Sequence, residues 1–213
     1  MKKLIPIAIF IISLFPLNAQ TVRLGLNAAL SLTRTQYMST EHALTFPGES
    51  AGMFAEITLS ENSHLYFRPE LEWSHCTEYS QYNHTNEFKS ISQETETAAD
   101  HISLPFLIGC SFLENKLKIS VGQEISYLMK AAVQVWGTEH EYERNLDFDI
   151  NRSYTESPRD YNPWGSSFII DVGYMIHDHI GLRVRYVQRL SEGRVGDTDS
   201  AARLQTGICW YFQ

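Results

Sequence analysis

Acidic and basic side chains recur two residues apart in this chain. Arg68, Glu70 and Glu72 share one segment and Arg183 and Arg185 another, while Glu124 and Asp171 stand in two more. A spacing of two puts neighbours on one face of an extended strand. Carboxylates and guanidinium groups facing one another across a narrow enclosure favour pairing, because an unpaired ion away from water is costly. The chemistry these spacings imply is therefore electrostatic: a network of Arg68, Glu70, Glu72, Glu124, Asp171, Arg183 and Arg185 that plugs a lumen. The alternative is a hydrated small channel lined by the same residues.

Catalytic and metal signals are weaker. His75 with Ser74, Glu78 and Ser80, or His101 with Asp100, would supply a base and a nucleophile. The eight histidines are scattered through a polar chain, so such proximities arise by chance and no catalytic residue is expected. His177-Asp178-His179 reads as a solvated turn. Asp147-Phe148-Asp149-Ile150-Asn151 begins like a calcium loop, but Arg152 stands where that loop needs glycine and Pro158 where it needs glutamate. Cys76, Cys110 and Cys209 are too few and too scattered for zinc or a disulfide framework. No metal and no cofactor is expected.

The elements that position these residues are strands. Period-two alternation recurs near residues 21–32, 50–60, 64–79, 99–112, 117–131, 166–176, 180–191 and 200–213. Most reach the 9 to 11 residues of a tilted membrane strand. Connections at 61–63, 113–116 and 177–179 are tight, whereas those near 33–49, 80–98, 132–165 and 192–199 are long and polar. Pro69 and Pro105 fall inside strands, where each removes a ladder hydrogen bond and predicts a local bulge.

Sorted by parity, one strand face carries Leu24, Leu26, Phe67, Leu71, Ile102, Phe106, Ile119, Ile170, Leu182, Val184 and Ile208 and no charge between the strand ends. The other carries Arg23, Glu56, Arg68, Glu70, Glu72, Lys118, Glu124, Lys130, Asp171, Arg183, Arg185, Arg189 and Arg203. A soluble, lipocalin-like barrel has the same pattern turned inside out, so alternation alone does not choose. If the chain is in a membrane, one Arg or Lys on the lipid face at the bilayer midplane costs about 2 to 4 kcal/mol. Several would exceed a domain's whole stability of roughly 5 to 15 kcal/mol. The charges then line the interior. Glycines and small residues beside them suit the narrow lumen of eight strands. Aromatics near strand ends resemble interfacial girdles, with Trp73, Tyr79, Trp164 and Phe168 at one rim and Tyr66, Phe112, Trp210 and Phe212 at the other.

The N-terminus reads as a cleavable signal peptide over residues 1–19: Lys2 and Lys3, an apolar run from Leu4 to Leu17, then Ala19. Residues 20–213 form one domain. Without the two signal lysines the mature part holds 15 basic against 25 acidic residues, a net charge of −10 that disfavours nucleic acid. The expected fold is all-β: an eight-stranded antiparallel up-and-down transmembrane barrel with short periplasmic turns and long extracellular loops. The expected location is the cell outer membrane, with membrane lipid and lipopolysaccharide as surroundings and the barrel-assembly machinery as a partner during biogenesis.

His101-Ile102-Ser103-Leu104-Pro105-Phe106-Leu107, then Val121-Gly122 and Ser126-Tyr127-Leu128, resemble the PorT-like outer-membrane β-barrel family of Bacteroidota. Gly181-Leu182-Arg183-Val184-Arg185-Tyr186 and Leu204-Gln205-Thr206-Gly207 resemble its last two strands. The resemblance implies an eight-stranded outer-membrane barrel that accommodates Pro105. It implies no single activity, and the founding member's role in protein secretion transfers weakly.

The 132–165 segment is long for a loop in a compact domain, and such loops are usually functional or disordered. Trp136, Tyr142, Phe148, Tyr154, Tyr161 and Trp164 stand there among acids, as in a binding surface for an extracellular or secretion partner. They equally suit a hairpin extending the barrel above the membrane. The function expected is a non-enzymatic membrane scaffold displaying acidic, aromatic loops. Second is a binding or secretion-assembly component, and third a rim-located hydrolase of lipid A or phospholipid using His75 or His101.

Overall fold

The computed structural model describes residues 21–35, 44–60, 63–85, 87–141, 146–156, 163–191 and 201–212. The segment expected to be a signal peptide, the connection expected near 192–199 and the aromatic residues Tyr142 and Tyr161 lie outside them. Alternating sequence becomes nine strands: β1 (Thr21–Thr35), β2 (Leu44–Ser60), β3 (Ser63–Thr85), β4 (Lys89–Phe112), β5 (Leu117–Glu141), β6 (Leu146–Glu156), β7 (Trp164–His177), β8 (Ile180–Ser191) and β9 (Ala201–Tyr211).

The sheet runs β4-β3-β2-β1-β9-β8-β7-β5-β6, and the extra β4–β5 pairing closes it. Eight strands thus form an antiparallel, up-and-down ring: β1 to β5 with β7 to β9. Closure satisfies the backbone of every ring strand where hydrocarbon offers no hydrogen bond. The ring's exterior is apolar: Leu30 is 70% exposed and Ile208 55%, while Arg185 is fully buried. The 113–116 turn places Leu113, Glu114 and Asn115 in the left-handed region, with φ of 51°, 56° and 68°. A bond from the Lys116 amide to the Leu113 carbonyl at 3.1 Å closes it.

Four expectations need correction. First, much of the polar sequence read as loop continues the ladder. β3 runs to Thr85 and β4 starts at Lys89, so most of 80–98 is strand, and β1 and β2 cover the ends of 33–49. Within 132–165, β5 continues to Glu141 and returns as β6. β6 takes over the edge of β5 where β7 ends: Tyr127↔Trp164 closes the β5–β7 ladder, and Ala131↔Glu156 opens β5–β6. In water an extended pair needs no apolar face toward lipid, so the period-two hydrophobic signal fades while the backbone ladder continues.

Second, Lys130 points outward. The register slips between Asp100↔Lys130 and His101↔Leu128, which leaves Met129 as an extra residue on β5. Below this bulge the even-numbered Lys118, Ser120 and Glu124 are buried, and above it the odd-numbered Ala131, Val133 and Val135. One inserted residue reverses every later side chain. Third, Tyr66 is buried in the lumen, outside the girdle, whereas Phe112, Trp210 and Phe212 are exposed. Fourth, no bulge forms at Pro69 or Pro105. Register holds through Pro69↔Phe106, Glu72↔Ser103 and Pro105↔Glu124, and pairing merely lapses at Glu70 and Leu71 between β3 and β4. A missing N–H deletes a bond without requiring an added residue.

Candidate functional site

Inward side chains stack in tiers along the barrel axis. At the periplasmic end Phe54, Met175, Cys209 and Tyr211 cluster, with the Phe54 and Tyr211 rings edge to face at 5.0 Å. Aromatic rings fit here because glycines face them. A Cβ on Gly25 would stand 2.3 Å from Phe54 Cζ, and one on Gly109 would stand 2.6 Å from Tyr66 Cζ. Lys118 donates to Glu56 Oε2 at 2.7 Å, and the Tyr211 hydroxyl donates to the same oxygen at 3.2 Å.

The middle tier holds the ions. Arg68 Nε lies 2.9 Å from Glu70 Oε1. Arg185 reaches Asp171 Oδ2 at 2.7 Å, Glu70 Oε1 at 2.8 Å and Glu72 Oε2 at 3.3 Å. Arg183 approaches Glu70 at 3.2 Å, Glu72 at 3.5 Å and Asp171 at 3.7 Å. Gln205 donates to Glu72 Oε1 at 3.1 Å, and Asn27 to Glu70 Oε2 at 3.4 Å. Three guanidinium groups thus meet three carboxylates with no net charge. All six residues are buried.

Ring position gives this cluster its meaning. From β3, which carries Arg68, Glu70 and Glu72, four strand steps in either direction lead to β8, which carries Arg183 and Arg185. The Glu70–Arg185 and Glu72–Arg185 contacts therefore join opposite walls. At this level the lumen is occupied by direct hydrogen bonds, with Arg68 also laid over the Phe54 ring at 3.9 Å.

Glu124 stands apart from the other six anticipated ions. It lies in a tier toward the extracellular side, 3.5 Å from Arg203, whose Nη1 donates to Ser74 Oγ at 3.3 Å. Sequence reasoning overlooked Gln205 and Asn27 as members of the network. Their inward parity was readable, but neutral amides carry no charge signal.

The anticipated aromatic surface is dispersed. Trp164 stays at the rim, its ring edge to face with Tyr127 at 5.0 Å. Trp136 and Phe148 lie on opposite faces of the β4–β5–β6 sheet, since Trp136 pairs with Asn151 and Phe148 with Glu139. The Trp136 indole donates to Glu94 at 2.6 Å. Tyr154 lies on β6 opposite Val133.

Neither anticipated catalytic pair assembles. His75 faces outward with its Nδ1 2.8 Å from Asp100, while Ser74 turns into the lumen. His101, the expected partner of Asp100, instead lies 3.9 Å from Cys76 Sγ. The sequence resembling a calcium loop is strand β6. Among the described residues, no group of three or more His, Cys, Asp or Glu is placed to hold a metal.

Residues 18–192 match the family model described as the outer membrane protein beta-barrel domain. The chain belongs to that family. Its cell location is accordingly the outer membrane, with the apolar exterior against lipid. Among solved structures it is similar to Ail, the attachment invasion locus protein of Yersinia pestis, in complex with the heparin analogue sucrose octasulfate. The identity is 8%, the TM-score 0.50, and the match covers 90% of this chain and 99% of that one. Neisserial surface protein A is matched at 11% identity and a TM-score of 0.43, over 89% of this chain and 97% of that one. Such identities speak for the fold alone. No curated protein sequence matches the chain.

Proposed function

We propose that this outer-membrane β-barrel is a non-enzymatic scaffold whose lumen is sealed by its own ions and whose work is done by the sheet it raises outside the cell. The observation that carries the reading is the contact of Arg185 with Glu70 and Glu72 across the full width of the ring. A plug of direct ion pairs leaves no water-filled path, and eight strands enclose a space that side chains just fill. The opposite faces of His75 and Ser74 also weigh against a hydrolytic pair. Liposomes carrying the purified barrel should retain chloride and small sugars as well as protein-free liposomes do. Release of either at porin-like rates would refute the closed lumen, and hydrolysis of lipid A or phospholipid would refute the non-enzymatic reading.

A second reading, a binding or secretion-assembly component, is favoured by the long β3–β4–β5–β6 sheet. Its outward face carries Glu94, Glu96, Asp147 and Asp149, set by the register Glu94↔Trp136, Thr138↔Asp149 and His140↔Asp147. This acidity suits a cationic partner and disfavours a polyanion of the kind bound to Ail. Kinship with the PorT-like barrels of Bacteroidota, implied by the strand motifs, fits this reading. Deleting residues 137–160 should abolish capture of such a partner and leave the barrel folded. Capture unchanged by the deletion would count against it.

A further inference from the structure

On the extracellular side of the ion plug lies a small cleft lined by Thr33, Ser74, Glu124, Ser167, Arg189 and Arg203. Two register rows build it. Glu124 on β5 pairs with Ser167 on β7, and Ser167 with Arg189 on β8. Beside them Val187 on β8 pairs with Arg203 on β9, and Arg203 with Thr33 on β1. A carboxylate and a guanidinium on one row are thus held two strand spacings apart, roughly 10 Å, with a serine between them.

Three polar atoms lining this cleft are buried and lack a hydrogen-bond partner among the described residues: Glu124 Oε2, Arg203 Nε and Thr33 Oγ1. Glu124 and Thr33 are 4% and 3% exposed. Glu124 Oε2 lies 3.5 Å from Arg203 Nη2 without accepting a hydrogen bond, and Arg203 spends Nη1 on Ser74. Buried polar atoms are nearly always satisfied, so three orphans in one cleft call for a ligand with matching groups. The orphans are of both kinds. A charged acceptor asks for a cationic donor, and a guanidinium N–H asks for an anionic acceptor.

We propose that the cleft binds a small zwitterion, a free α-amino acid of alanine's size. Its ammonium donates to Glu124 Oε2, and its carboxylate accepts from Arg203 Nε and faces Arg189. The Thr33 hydroxyl completes the shell. A simple anion would meet Glu124, and a simple cation would meet two arginines. An uncharged polyol would forgo charge assistance at both ends. Because the ion plug lies on the periplasmic side of the cleft, the ligand is held and not passed through.

The test is calorimetric titration of the refolded, full mature barrel in detergent with L-alanine, with its two halves propionate and ethylamine, and with glycerol. L-alanine should bind saturably, and the other three at least ten times more weakly. Glu124→Gln should weaken L-alanine at least tenfold, with heat-modifiable gel mobility verifying that the variant folds. If it does not fold, Thr33→Val and Ser167→Ala provide the same readout from neutral positions and should each weaken binding severalfold. The proposal is overturned if L-alanine shows no saturable binding, as when water alone fills the cleft. It is equally overturned if propionate, ethylamine or glycerol binds as tightly, or if folded variants bind L-alanine like the wild type.

Discussion

The membrane-spanning ring and the sheet above it are made from the same strands, yet they obey different rules. In the ring, Glu70 and Arg185 are fully enclosed and joined across the axis. Farther along, Lys89–Glu139 is a comparable pair at 3.1 Å, but its side chains are 42% and 34% exposed. Water screens the second pair and hydrates its members when they separate, so it is worth about 0 to 1 kcal/mol. The first cannot be separated without leaving a buried ion without its partner. Enclosure, not the number of ion pairs, decides where a substitution hurts.

This contrast is broken most severely at Arg185. Arg185→Ala leaves Glu70, Glu72 and Asp171 facing two guanidinium groups and should cost about 3 to 5 kcal/mol, read as a lower urea midpoint for the heat-modifiable form. Replacing Asp171 and Arg185 together with Leu and Met should recover a large part of that loss, because a buried pair swapped for apolar groups of similar size is often neutral. A double variant as unstable as the sum of its singles would show that the ions act independently. Glu139→Ala, in the exposed pair, should shift the midpoint by under about 1 kcal/mol.

The bulge at Met129 marks where one regime hands over to the other. Deleting Met129 joins Leu128, which faces inward, directly to Lys130, which faces outward, and so restores simple alternation without reversing either neighbour. The deletion should leave the barrel folded, and a Lys130→Cys probe should react with a membrane-impermeant thiol reagent before and after it. A probe that becomes protected would place Lys130 in the lumen and remove the bulge from the account. A similarly small effect is expected at Trp136→Ala, which breaks the 2.6 Å bond to Glu94 on a solvated sheet and should change stability by about 1 kcal/mol or less.

The same division explains what was legible in the sequence. Lipid demands an apolar residue at every second position, so Leu24, Leu26, Ile170, Val184 and Ile208 announce the ring strands and their lipid face. Their partners Arg68, Glu70, Glu72, Asp171, Arg183 and Arg185 then follow by parity alone. Strand β6 and the far ends of β3, β4 and β5 have water on their outer side, and residues such as Gln93, Glu94 and Thr138 carry no comparable pattern. Position around the ring was also hidden. That Glu124 leaves the central cluster for Arg203 depends on its tier along the axis, and parity carries no information about height.

The central claim is that ion pairs between opposite walls close the lumen. Single-channel recording of the wild-type barrel in a planar bilayer tests it most directly. Silence at every applied voltage, apart from brief transients, is the predicted record, whereas steady ohmic steps from folded protein would mean that water and ions pass where Arg185 is said to bridge Glu70 and Glu72.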